Sequence, residues 1–72
     1  MAQFEMHSVV ALVEDLPDKG LVRGQVGTVV ADLAPGVYLV EFADTSGRTY
    51  ALPALHDDQL MLLHHEPCHQ AA

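Results

Sequence analysis

The sequence predicts an all-β domain, a small and partly open barrel of five strands, and three observations predict it. Short apolar runs recur at close spacing along 72 residues. Clusters of Gly, Pro and Asp separate them, and no stretch of useful length carries a helical period. The most specific local signal is Gly20-Leu-Val-Arg-Gly-Gln-Val-Gly-Thr-Val-Val30, where Gly20, Gly24 and Gly27 lead directly into a β-branched run. Glycine tolerates backbone turns that a Cβ resists, and Val26, Val29 and Val30 favour a pleated surface. The segment reads as a loop feeding a strongly curved strand.

Ser8 to Val13 carries a short, β-branched apolar run and is the first strand. Glu14 to Gly20 holds the turn formers Pro17, Asp18 and Gly20, while Leu16 and Leu21 are anchors that fold this long loop back onto the barrel. Gln25 to Leu33 is the second strand, and Pro35-Gly36 sits at the centre of the turn that follows. In the third strand, Val37 to Phe42, alternation puts Tyr38, Val40 and Phe42 on one face and Val37, Leu39 and Glu41 on the other. The first set faces the core, because it holds both aromatics and leaves Glu41 in water. Ala43-Asp-Thr-Ser-Gly47 is a hairpin connection and Arg48 to Leu52 the fourth strand, after which Pro53 stops ladder pairing or confines it to an edge. Leu55 to Asp58 is expected as a 3₁₀ turn, and the run Leu60 to Leu63 as the fifth strand, closing the barrel against the first. Residues 1–63 thus form the domain, and 64–72 a frayed tail.

Composition narrows the class. A chain of this length holds one core and buries only about 60% of its unfolded surface. Half the residues are hydrophobic, but aromatics make up 6% and Trp is absent, so the core is built mainly from Val, Leu and Ala. Three Lys and Arg against ten Asp and Glu give a net charge of −7. That surface repels phosphate backbones and anionic membranes and steers basic proteins toward itself. Cys68 has no partner for a disulfide, the N-terminus shows no secretion signal, and no apolar run is long enough to span a bilayer. A soluble, cytoplasmic protein is expected.

Several segments together resemble a known family: Val9-Val-Ala-Leu12, Leu16-Pro17, Gly20-Leu21, Gly24-Gln-Val-Gly-Thr-Val-Val30, Val40-Glu-Phe-Ala-Asp44, Gly47 to Tyr50 and Asp58-Gln-Leu60. In that order and spacing they are similar to the small bacterial proteins grouped as domain-of-unknown-function family 4926, over Met6 to Leu63. The glycine-rich segment likewise resembles SH3-like and KOW-like barrels. These resemblances imply an SH3-like (KOW-like) barrel and a partner encoded nearby, and they supply no catalytic residues.

Four clusters bear on chemistry. His64, His65, Cys68 and His69 are ligand types for Zn²⁺, Ni²⁺ or Cu⁺, yet structural zinc sites draw on two separated pairs, and a terminal cluster loses ordering entropy on binding. A nucleophilic Cys68 with His65 or His69 lacks a base held in place by a third group. His56, Asp57 and Asp58 are acid–base types, but Asp57 capping a short turn, with His56 on its surface, explains them better. The Gly20, Gly24 and Gly27 series lacks the Lys-Ser/Thr of a phosphate loop and precedes a strand. Nucleic-acid binding is not expected, since Lys19, Arg23 and Arg48 stand isolated among acids.

The reading that remains is a non-catalytic interaction module without a cofactor, which binds a basic protein in the manner of an antitoxin or chaperone. Its expected surface is an apolar patch with an acidic rim, made by Val37 and Leu39 beside Glu41 together with Val9 or Ala11. A metal carrier using His64, His65, Cys68 and His69 is the second reading. A homo-oligomer with a purely structural role, such as a homodimer, is the third, since an open strand edge invites association.

Overall fold

The computed structural model describes residues 4–64 and is all-β, with two single-turn 3₁₀ segments. Its strands are β1 (Val9–Leu12), β2 (Val26–Ala34), β3 (Val37–Ala43), β4 (Thr49–Ala51), β5 (Ala54–His56) and β6 (Leu60–Leu62). All pair antiparallel in one sheet of order β4-β3-β2-β1-β6, with β5 on β3. The sheet curls strongly without closing. Two register shifts against β3, between Val29 and Ala31 and between Asp32 and Ala34, each insert an extra residue into β2, and such bulges bend a strand and raise its twist. The 3₁₀ turn Asp57–Gln59 then spans the gap between the sheet's edges, since His56 pairs with Val37 and Leu60 with Leu12.

The sixth strand is a correction to the five expected, and Pro53 is its cause. The Ala51 end of β4 and all of β5 lie on β3 in one register, Phe42 opposite Ala51 and Leu39 opposite Ala54. Between them the Val40 N–H donates to the Pro53 carbonyl at 3.0 Å, but proline has no N–H to return the bond. The ladder is interrupted there and resumes. As a result Leu55, expected in a 3₁₀ turn, is a strand residue with its side chain fully buried, and the turn itself shifts to Asp57–Gln59.

One core fills the curl. Val10, Leu12, Val29, Leu55 and Leu60 line it together with Tyr38, Val40 and Phe42, which face inward as the alternation of β3 requires. The long loop after β1 folds back as its sequence predicts: Leu16 and Leu21 are buried and bonded to each other through their backbones, around the 3₁₀ turn Pro17–Lys19. Gly20 and Gly24, at φ 70° and 93°, supply the left-handed residues of this loop. Phe4 joins the core without a periodic signal in the sequence. A turn closed by Ser8 N–H to the Glu5 carbonyl brings its ring edge-on to Tyr38, with centroids 5.2 Å apart, and its N–H donates to the Tyr38 hydroxyl at 3.2 Å.

Candidate functional site

β1 and β6 are apolar at every position and so carry apolar side chains on both faces. From β1, Val10 and Leu12 enter the core, which leaves Val9 and Ala11 on the outer face, and Val13, bonded through its N–H to the Gln59 carbonyl, continues that row. Across the sheet Met61 pairs with Ala11, and Ala11 with Val26. In the next row Leu63 donates its N–H to Val9, Val9 pairs with Thr28, and Thr28 with Glu41. The outer face of β6-β1-β2 is therefore a contiguous apolar surface. Met61 is 52% exposed, Val26 48% and Val13 39%, whereas Ala11, sunk between Met61 and Val26, is 6% exposed.

The five residues expected to form one patch divide between two places. Val9 and Ala11 belong to this face. Val37 and Leu39 are half-buried on the outer side of β3, opposite Ala34 and Ala31 on one edge and His56 and Ala54 on the other. Glu41 lies between the groups, at the end of the Val9–Thr28 row, and its Oε2 accepts a hydrogen bond from the Thr49 hydroxyl at 2.7 Å. The two halves are separate because β1 begins at Val9, in the row of Thr28 and Glu41, so Leu39 and Val37, further along β3 opposite Ala31 and Ala34, have no β1 residue across β2 from them. Met61, Val26 and Val13 complete the face. The unbroken apolar run Leu60 to Leu63 is the signal in the sequence that points to it, since a strand with one wet face alternates.

No charged side chain is buried among the described residues. Several carboxylates are oriented by uncharged donors. Asp15 accepts from the Arg23 backbone N–H at 2.8 Å and Glu14 from Gln59 Nε2 at 3.1 Å. Asp44 organises its hairpin by accepting from the Ser46 hydroxyl and from the Ser46 and Arg48 backbone N–H groups. The Ser46 hydroxyl bond, and then the Arg48 N–H, hold its carboxyl below the usual aspartate value.

His56, Asp57 and Asp58 lie around the second 3₁₀ turn, whose cap differs from the expected one. Gln59 Oε1, not Asp57, accepts the His56 N–H at 2.9 Å. The same amide reaches Glu14, so Gln59 ties β5 to the end of β1. Among the described residues no group of three or more His, Cys, Asp or Glu is arranged to hold a metal ion, and no helix is long and apolar enough to cross a membrane.

A family model for a domain of unknown function, DUF4926, matches residues 6–62. The chain belongs to the DUF4926 family. None of the curated proteins and none of the solved structures matches it. The DUF4926 match runs from just before β1 to the end of β6, so the apolar outer face, Leu63 apart, lies within the family domain. Phe4 lies outside the match, as do His64, His65, Cys68 and His69. Of those four ligand-type residues, His64 is exposed, and His65, Cys68 and His69 lie outside the described residues.

Proposed function

We propose that this DUF4926 domain is a non-catalytic, cytoplasmic interaction module with an SH3-like curl, and that it binds a basic protein. The observation that carries this reading is where the negative charge lies and what it is bonded to. The chain holds a net −7, none of the described charged side chains is buried, and Glu14, Asp15, Glu41 and Asp44 are bonded to amide, hydroxyl and backbone N–H groups. Such bonds fix a carboxylate without neutralising it, so its field extends into solvent over roughly a Debye length of 8 Å at physiological salt. A field of one sign accelerates encounter with a cationic surface and repels anionic partners. At the turn that joins β5 to β6, the Gln59 side chain accepts the His56 backbone N–H.

Affinity capture from native lysate on the full chain, at low and at high salt, tests the reading. A basic protein held at low salt and released as salt rises is the expected result. Capture that is indifferent to salt, or that returns only acidic or neutral proteins, overturns it.

A further inference from the structure

β1 and β6 read as unbroken apolar runs, Val9-Val-Ala-Leu12 and Leu60-Met-Leu-Leu63, the pattern of strands covered on both faces. The described chain covers only one. On the other, Met61, Val26 and Val13 remain exposed around the sunken Ala11, and no strand position on this face is Lys or Arg. Carboxylates border it at two sides, Glu41 beyond Thr28 and Glu14 beside Gln59. A second copy meets these acids with further acids, since each copy carries −7 and its cations, Lys19, Arg23 and Arg48, all lie outside the strands. An apolar segment flanked by Lys or Arg matches the face in both chemistry and charge.

We infer that the outer face of β6-β1-β2 is the docking surface of the basic partner, and that it receives a segment whose apolar side chains cover Ala11, Val26 and Met61 while flanking cations meet Glu14 and Glu41. This rests on the function proposed above and adds where, and through what chemistry, the partner binds. Burial of the exposed apolar area supplies the affinity, and the acidic border supplies the orientation and the encounter rate.

Two synthetic peptides of equal charge test it on the full chain: one alternating Val and Lys, the other alternating Ser and Lys. The Val-Lys peptide is expected to bind more tightly and to shift the amide resonances of Val9, Ala11, Val13, Val26 and Met61. Met61→Glu should weaken it roughly tenfold, although the substitution makes the protein more acidic; Met61→Ser, neutral and at an exposed position, should weaken it in the same direction. Equal binding of the two peptides, tighter binding by the Glu variant, or shifts confined to other acidic segments would overturn the docking surface and leave the basic-partner reading standing. If neither peptide binds, both fall. Concentration-dependent shifts of the same amides without peptide would assign the face to a second copy and overturn the inference.

Discussion

The Phe42 ring lies against Gly27. Its Cε2 atom is 3.0 Å from the point where a Cβ on Gly27 would stand, with Val40 Cγ1 at 2.7 Å and the Glu41 carbonyl oxygen at 2.9 Å from the same point. Gly27 is an extended strand residue, not a left-handed one, so the glycine is there for space. It lets β2 and β3 bring a large aromatic into a core that a chain of this size can fill only with few side chains.

Gly27→Ala should therefore destabilise the domain by about 1–3 kcal/mol through overpacking, because a backbone oxygen is among the obstructing atoms and cannot swing aside. Gly27→Val should unfold or aggregate it. Urea denaturation of both variants checks this, and a wild-type midpoint for Gly27→Val would contradict the crowding.

Phe42 is the largest fully buried side chain in the described core. Its replacement by Ala should cost about 3–5 kcal/mol, a large share of what a small domain has. Chemical denaturation measures it; a loss below about 1 kcal/mol would mean that the ring is not packed as described.

Tyr38→Phe removes the acceptor of the buried Phe4 N–H while keeping the aromatic contact. The loss should be about 1–2 kcal/mol, close to the cost of leaving a buried donor without a partner. Hydrogen exchange at the Phe4 amide should quicken more than exchange in β1 or β2. Equal protection in both proteins would show that the bond contributes nothing.

Acid should weaken the β3–β4 hairpin through Asp44. Its folded pKa lies below the ordinary 3.8, so its contribution to stability is present above that value and is lost as pH falls through the folded one. A carboxyl titration followed by NMR should place Asp44 below the ordinary aspartate value, and Asp44→Asn should flatten the acid limb of the stability curve. An unshifted Asp44 titration would remove the basis for both.

Much of the fold is legible in the sequence because short-range physics dictates it. The alternation in Val37 to Phe42 fixes which side of β3 enters the core, and Leu16 and Leu21 bracket a turn-rich segment too polar to be buried. Pro53 is legible only as a disruption. Its missing donor is local, but the continuity of register on either side depends on β3, a partner distant in sequence. The candidate face is legible in part. Val9 and Ala11 sit in an apolar run that alternation alone leaves two-sided, whereas their neighbours Met61 and Val26 are set by pairings between strands far apart in the chain.

The amino-acid order by itself determined an all-β chain, the turns at Pro17 to Gly20, Pro35-Gly36 and Asp44 to Gly47, its inward residues on β3 and its acidic surface, since each follows from side-chain period, backbone preference or charge count. Only the tertiary structure decided that Leu55 belongs to a strand, that Phe4 reaches Tyr38, and that Val37 and Leu39 part from Val9 and Ala11. The reason is that each depends on partners distant in the sequence: Leu55 takes its strand pairing from Tyr38, Phe4 finds its acceptor on the same residue, and Val9 stands in the row of Thr28 and Glu41, which leaves Leu39 past the start of β1.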